Sequence, residues 1–285
     1  MIGIIDISEH NGIINFSKLK DSGIEGVIIR CGYGKGNKDK MFDEYIKAAI
    51  KAELKYIGIY YFSYAFTLIM ARREAQYCND MIAPYRKHIN LPVFFDWEYA
   101  SRDYARKNGY NLSRTAITEM HEVFCDRIKD LGWIPGYYTN LDYQNNYIDT
   151  SKLKAYKKWF AYYNNSLKGN TCDYWQYSST GKIKGIGTNV DLDYILDNSD
   201  IPKQVAPSKP ASKPSDNDED YDMKTIKRGS TGKIVRIWQI IVGTTSDGIF
   251  GKNTEEKTKA FQKRHGLTQD GVVGSKTWKK GLESL

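Results

Sequence analysis

The first two thirds of the chain alternate short apolar runs with longer amphipathic segments. The apolar runs are rich in β-branched and aromatic residues, as buried strands are, and they lie at IGIID (2–6), GVIIR (26–30), YIGIYYF (56–62), PVFFD (92–96), GYYT (136–139) and WFAYY (159–163). Apolar residues recur with helical spacing near positions 41–53, 68–88 and 113–131. This alternation predicts parallel strands with helices packed outside them.

The pattern changes towards residue 200. Two further strand-like runs, YWQYS (174–178) and NVDLDYI (189–195), are separated by a short TGKIKGIG stretch that leaves no room for a helix. We therefore predict an α/β fold, an irregular (β/α) barrel whose last strands are poor in helices.

A segment with almost nothing to bury follows the barrel pattern. Residues 201–222 contain four prolines and end in an acidic cluster, which is typical of a semi-extended linker. Beyond it, DGIFGKNT from Asp247 and DGVVGSKT from Asp270 form a short repeat, each copy followed by a helical pattern. Asp-Gly favours a turn, and the Asn or Ser and the Thr that trail it are expected to cap a helix. We predict domains at 1–200 and 223–285.

Composition indicates a globular protein, since 41% of the 285 residues are hydrophobic. No apolar run is long enough to span a membrane, and the start MIGIIDIS has no export-signal pattern, so we expect synthesis in the cytosol and no membrane association. The sequence has no Cys-x-x-Cys and only four scattered histidines, so no metal site and no cofactor are expected.

The formal net charge of +8 is concentrated at one end of the chain. The segment 223–285 holds 13 Lys and Arg against five Asp and Glu. A module this basic suggests an anionic partner, which could be a nucleic acid, a membrane surface or an acidic cell-wall polymer.

Carboxylates stand where the predicted strands end. Asp96 and Glu98 flank one tryptophan, so strand geometry points both acids to the same side. If that side excludes water, desolvation and like-charge repulsion raise the pKa of at least one of them, as acid/base chemistry requires. Asp6 closes the first strand and Asp191 lies in the last. Because strand ends meet on one face of a parallel barrel, these acids are expected to converge there.

Several motifs together resemble glycoside hydrolase family 25, the muramidases or lysozymes of phage endolysins and bacterial autolysins. In chain order they are DISEHNG, IIRCGYG, GIYYFSYA, FFDWE, GYYTN, YWQYSSTGKIKGIG and NVDLD, and they cover nearly all of residues 1–197. The sequence departs from the family at two positions, with Tyr61 where His is common and Asp193 where Asn is common.

The resemblance implies hydrolysis of the β-1,4 bond between N-acetylmuramic acid and N-acetylglucosamine. By motif position, Glu98 would be the general acid and Asp96 would stabilise the reacting acetamido group or the positive charge near the anomeric carbon. Asp6 and Asp191 would hold the surrounding hydrogen bonds. The anomeric configuration is expected to be retained, with the substrate's own acetamido group taking part.

Four more residues are candidates for contacting the sugar. Tyr60, Tyr138 and Trp175 sit in matched motifs, and their rings could stack on pyranose faces. Arg30 could meet the lactyl or peptide carboxylate of the muramic unit. For each of the four, an ordinary place in the barrel core or rim remains the alternative.

The basic segment resembles a three-helix, PG-binding-1-type peptidoglycan-binding domain, through RGSTG, DGIFG, AFQKRHGL, DGVVG and TW. The resemblance implies that it anchors the enzyme to peptidoglycan, with its lysines attracted to teichoic acids, so we expect no nucleic acid partner. A start codon or cleavage near Met223 would release a free module able to associate with the whole chain.

Three other functional classes compete with a muramidase. A metal-dependent phosphodiesterase would use Asp6, Asp96, Glu98 and Asp191 to bind Mg²⁺. A binding protein that has lost catalysis would not need the intact acidic set, and a zinc amidase lacks ligands. We favour a phage endolysin, made in the host cytoplasm and acting on the wall after membrane passage, with a bacterial autolysin as the alternative.

Overall fold

A computed structural model describes residues 1–197 and 224–283. The chain divides into two compact units, Met1–Lys209 and Pro210–Leu285. The proposed linker, 201–222, and Met223 lie outside the described residues, so the domain boundaries drawn there stay a prediction. In the described ranges no helix is long and apolar enough to cross a bilayer.

The first unit is a closed barrel surrounded by helices, as its pattern predicts. Its strands are β1 (Ile2–Ile7), β2 (Gly26–Tyr33), β3 (Asn37–Lys38), β4 (Tyr56–Phe62), β5 (Val93–Asp96), β6 (Pro135–Asn140), β7 (Lys157–Ala161), β8 (Tyr174–Gly181) and β9 (Val190–Ile195). The main helices are α1 (Phe16–Asp21), α2 (Phe42–Lys51), α3 (Leu68–Ile82), α4 (Tyr99–Lys107), α5 (Arg114–Asp130) and α6 (Leu141–Asn146).

The sheet runs in the order β1-β9-β8-β7-β6-β5-β4-β2-β3, and a β1–β2 pairing closes it. Strands β1, β2 and β4 to β8 run parallel to one another, whereas β9 runs antiparallel to both β1 and β8, and β3 runs antiparallel to β2. No helix separates β7, β8 and β9 within 157–195, which confirms the predicted loss of helices. All eight predicted strands are present.

Alternate residues of each strand face the barrel interior. A cluster of buried side chains fills it: Ile4, Ile28, Tyr60, Leu91, Phe94, Trp159, Tyr174 and Ile195. Gly136 on β6 is required by this packing, because a Cβ there would lie 2.5 Å from the ring of Phe94. Because apolar side chains fill this part of the interior, the polar inward-facing residues lie further along the strands, at one mouth of the barrel.

Within 224–283, the second unit contains three helices, α7 (Lys233–Ile241), α8 (Lys252–Arg264) and α9 (Ser275–Glu283), as the family resemblance implies. Trp238 and Trp278 are fully buried and meet edge to face at 5.1 Å. The indole of Trp238 also donates a hydrogen bond to Thr258 Oγ1.

A buried glutamine organises each copy of the repeat. Gln239 Nε2 donates to Asp247 Oδ1 and to Thr254 Oγ1, and its Oε1 accepts from Gly248 N. Gln262 makes the same set of bonds in the second copy, with Asp270, Thr277 and Gly271.

The expected capping is wrong for α8. Its N-cap is Gly251, with no side-chain cap. The hydroxyl of Thr254 is occupied by the buried amide of Gln239 instead.

Candidate active site

The predicted acids converge at the mouth of the barrel. Asp6 is the last inward-facing residue of β1, Asp96 is the last residue of β5, and both are 6% exposed. Asp191 lies directly opposite Asp6 in the β1–β9 register. Glu98 follows β5 as the N-cap of α4 and is partly buried.

A buried tryptophan separates the two acids of the Asp-Trp-Glu segment. Trp97 is 1% exposed, and its indole donates to Ala65 O at 2.7 Å, on the side away from the acids. The backbone of Glu98 is held as well: its N–H donates to Ser101 Oγ at 3.1 Å, and that hydroxyl donates to Ser63 O at 2.6 Å. The loop is therefore fixed from behind.

Burial dominates the electrostatics of this segment. It raises the pKa of Asp96, and the Glu98 carboxylate raises the pKa of Asp96 further, whereas the Arg30 guanidinium opposes that rise. Burial, followed by the Asp191 carboxylate, raises the pKa of Glu98. Because the pKa values of both acids are raised, the pair resists ionisation of both carboxyls at once. Burial also raises the pKa of Asp191 to about 6.

A glutamine links Asp6 to two tyrosines. Gln176 on β8 is 3% exposed, and its Nε2 donates to Asp6 Oδ2 at 2.8 Å. Its Oε1 accepts from the hydroxyls of Tyr138 and Tyr163, each at 3.0 Å. Tyr163 lies just after β7 and is 56% exposed, so its ring is available at the rim.

A further aspartate lies deeper in the barrel. Asp193 on β9 is 0% exposed, and Trp159 Nε1 donates to its Oδ1 at 2.8 Å. Its other oxygen, Oδ2, is buried and has no hydrogen-bond donor of good geometry among the described residues. The Asp193 carboxyl lies within reach of the Asp6 carboxyl.

The four sugar-contact candidates have different places. Tyr60 is 8% exposed in the interior cluster, where its ring meets Trp159 at 5.8 Å. Tyr138 is partly buried, and its hydroxyl feels the charges of Glu98, Asp96 and Asp6. Both residues therefore lie with the acids, although the role given to them stays a prediction.

The other two candidates, Trp175 and Arg30, do not lie at the mouth as Tyr60 and Tyr138 do. Trp175 points to the opposite face of β8 from Gln176, where its indole donates to Tyr162 O. Arg30 is near Asp96, but its side chain is 10% exposed and already pairs with Glu9 at 3.0 Å and Asp39 at 2.8 Å.

Sequence reasoning missed the roles of Gln176, Tyr163 and Asp193 in this network. A period of two from Asp191 points to Asp193, and the same period from Tyr174 points to Gln176. Nothing in the local pattern indicates Tyr163. Across 1–197 and 224–283, no group of three or more His, Cys, Asp or Glu side chains has a metal-binding arrangement.

Comparison with known proteins identifies both units. The family described as "Glycosyl hydrolases family 25" matches residues 5–186, and "Putative peptidoglycan binding domain" matches residues 240–280. The "Autolytic lysozyme" of Clostridium acetobutylicum is 25% identical, over 98% of each chain.

Solved structures agree with this identification. The modular autolysin LytC of Streptococcus pneumoniae, also solved with a synthetic peptidoglycan ligand, aligns over 67% of this chain with 27% identity and a TM-score of 0.58. The alignment spans 46% of LytC, less than half of that protein. The CTP1L endolysin, whose activity is regulated by a secondary translation product, aligns over 69% of this chain and 67% of its own, with 25% identity and a TM-score of 0.57.

The family match covers more than half of the chain and includes the strands that carry Asp6, Asp96 and the Asp-Trp-Glu segment. The relatives are lysozymes and autolysins, so the comparisons support a glycoside hydrolase that acts on peptidoglycan. On these grounds, the chain belongs to glycosyl hydrolase family 25, the lysozyme family.

Proposed function

We propose that the chain is a muramidase that hydrolyses the β-1,4 bond between N-acetylmuramic acid and N-acetylglucosamine. The observation that carries the proposal is the convergence of four carboxylates, Asp6, Asp96, Glu98 and Asp191, at one barrel mouth. An oxocarbenium-like transition state needs a proton on the leaving oxygen and negative charge near the ring, and two coupled carboxyls of unequal surroundings can supply both.

Glu98 is proposed as the general acid. Its raised pKa keeps it protonated in the pH range where an ordinary glutamate has ionised. Asp96, beside Arg30, takes the charge and stabilises the acetamido group as its oxygen approaches the anomeric carbon. This route retains the anomeric configuration, which NMR of the first product formed would test.

Asp6 and Asp191 are proposed to hold the hydrogen-bond network around the reacting sugar. Asp6 fixes Gln176, which in turn directs the hydroxyls of Tyr138 and Tyr163. The exposed ring of Tyr163 gives the rim an apolar face on which a pyranose can stack.

Mass spectrometry of fragments released from purified peptidoglycan tests this proposal. The wild type and Glu98→Gln are compared with EDTA present, and Glu53→Gln, at a side chain that is 85% exposed, controls for the carboxylate-to-amide change. Muropeptides ending in reducing N-acetylmuramic acid are expected from the wild type and from the control only. Reducing N-acetylglucosamine ends, or free peptides with intact glycan, would show that another bond is cut, and loss of activity in EDTA would favour a metal-dependent enzyme.

The basic second unit is proposed to hold the enzyme on the wall and to bind teichoic acids as well as peptidoglycan. Its excess of lysine and arginine supports an electrostatic contribution. Sedimentation of the full chain with walls before and after teichoic acid removal tests this. Binding that loses its salt dependence after removal supports the proposal, and unchanged binding would limit the ligand to peptidoglycan.

We also propose an endolysin role, in which a phage protein made in the host cytoplasm reaches the wall after membrane passage and lyses the cell. Cells that express the wild type should stay intact until the membrane is permeabilised, whereas cells expressing Glu98→Gln should survive that step. Lysis without permeabilisation would favour an exported autolysin. Lysis of intact target cells by added protein would show an antimicrobial activity.

Self-association through a free second unit is proposed from Met223, which lies outside the described residues. The CTP1L endolysin, with its secondary translation product, supports the idea. Expression of the intact gene should give a shorter second product that copurifies with the full chain and disappears in Met223→Leu. A single full-length band would argue against it.

A further inference from the structure

We propose that Asp6 and Asp193 share one proton and act together as a single negative charge, with Asp193 a positioning residue behind the hydrolytic site. The inference deepens the proposed function, because the pair borders the network that directs Gln176. It stands on the hydrogen-bond geometry of two buried carboxyls on adjacent strands, β1 and β9.

The donors around Asp193 leave one of its oxygens unsatisfied. The indole of Trp159 can only donate, so Asp193 Oδ1 must be the acceptor of that bond. Asp193 Oδ2 is fully buried and accepts no hydrogen bond of good geometry from the described residues, although the backbone N–H of Asp6 lies near this carboxyl. A buried carboxylate oxygen without a donor is costly, and a proton on it removes that cost.

The hydrogen bonds around Asp6 indicate how its carboxyl can meet that of Asp193. Gln176 Nε2 donates to Asp6 Oδ2, while Gln176 Oε1 accepts from the hydroxyls of Tyr138 and Tyr163. Asp6 therefore accepts on that side. Two ionised carboxylates have only acceptors, so the contact between Asp6 and Asp193 is a hydrogen bond only when one of them holds a proton.

Among the described residues, the charges that act most strongly on this pair come from acidic groups, and the cation Arg30 on β2 acts on Tyr60 and Asp96. The acidic groups are Asp191 on β9, Tyr60 on β4, Tyr138 on β6, Tyr163 after β7 and Tyr177 on β8. Each of these groups becomes negative when it ionises. Burial raises the pKa of both Asp6 and Asp193, and their mutual contact raises the pKa of Asp6 further, which agrees with one retained proton.

If the two carboxyls share one proton, the pair carries a single negative charge. Replacing Asp193 with Asn, or Asp6 with Asn, leaves one carboxylate facing one amide donor, and the pair keeps its single negative charge. Each substitution should then remove a protonated carboxyl and leave the number of ionised aspartates unchanged. If the two aspartates ionise independently of each other, replacement of an ionised one lowers the number of ionised aspartates by one.

NMR of the full chain labelled with ¹³Cγ-aspartate measures this count at neutral pH. The spectra of the wild type, Asp193→Asn and Asp6→Asn are compared, and Asp80→Asn on α3 shows the loss of a single aspartate signal outside the site. We expect each single variant to lose one protonated signal and no ionised signal, and the double variant Asp6→Asn with Asp193→Asn to lose one of each. Loss of two protonated signals in the double variant would mean that both aspartates hold a proton, and would overturn the shared proton. Loss of an ionised signal in either folded single variant would overturn the shared proton, whatever bond the enzyme cuts.

Kinetics then test the positioning role. Asp193→Asn keeps an acceptor for Trp159 and a donor for Asp6, so kcat/KM should stay within about threefold of the wild type. Asp193→Leu keeps the branching at Cγ but has neither the acceptor nor the donor, so kcat/KM should fall by at least about tenfold. Equal activity of the two folded variants would refute a positioning role, and loss of activity in folded Asp193→Asn would show that the carboxyl itself is needed.

Discussion

Glu74 on α3 should make the stability of the barrel depend on pH, and Glu74→Gln should remove that dependence. Glu74 is 2% exposed. It accepts hydrogen bonds from Ser63 Oγ at 2.5 Å and from Tyr64 N at 2.9 Å. Burial outweighs these two bonds and raises the pKa of Glu74 from 4.5 to about 8. The neutral carboxylic acid is therefore the form present in the folded protein at pH 7.

The sign and size of the effect follow from linkage. Because the folded pKa of Glu74 is raised, its contribution to stability is complete below pH 4.5 and is lost as the pH rises towards 8. Each pH unit in this window costs about 1.4 kcal/mol, so the wild type should lose roughly 3 kcal/mol relative to Glu74→Gln between pH 5 and pH 7.5. Neighbouring Tyr61 does not enter this window, since burial raises its pKa further from neutrality.

Urea unfolding at pH 5, 6, 7 and 8 measures this effect, with tryptophan fluorescence as the probe. The difference between the wild type and Glu74→Gln cancels the titration of groups they share. Glu53→Gln is the matched control, and it should change the difference little because its side chain is 85% exposed. Parallel curves for the wild type and Glu74→Gln would refute the reasoning. They would mean that Glu74 is already ionised in the folded state.

Three further predictions concern packing, the repeat and the rim. Gly136→Ala should destabilise the barrel by about 1–3 kcal/mol and lower its Tm in thermal unfolding, because the new Cβ would lie 2.5 Å from the ring of Phe94. An unchanged Tm would mean that the ring can move away. Gln239→Leu and Gln262→Leu should each destabilise the second unit by about 2–4 kcal/mol, since they break the same set of buried hydrogen bonds. Markedly unequal losses of stability in urea unfolding would contradict the equivalence of the two copies of the repeat. Tyr163→Ala should raise KM for peptidoglycan several-fold while Tyr163→Phe leaves it near the wild-type value; equal effects would show that the ring does not contact the glycan.

The order of the elements in the barrel could be read from the chain. A period of two in the strands and a helical period between them are local properties, and the structure confirms all eight strands and the helices α2, α3 and α5. The short helices α1 and α4 were not predicted. Six and nine residues long, they span fewer turns than α2, α3 and α5, so a helical period has fewer positions in which to repeat.

The acids of the site were also within reach of the sequence. Asp6 and Asp96 end their strands, and the parallel topology brings strand ends together without further information. The aromatic candidates were less accessible to this reasoning. Period two says that Trp175 and Gln176 face opposite sides, but only the closed sheet decides that Gln176 faces the interior.

By itself, then, the sequence determined the barrel, the basic helical module and the acids at the strand ends, because each of these follows from local periodicity, composition or chain order. Only the tertiary structure decided which groups of the site meet and share hydrogen bonds. The bond between Gln176 and Asp6 joins residues 170 positions apart, and Asp193 meets Asp6 only because β9 pairs with β1. The burial that keeps Glu74 neutral arises in the same way, since desolvation depends on everything packed around a side chain and not on its neighbours in the chain.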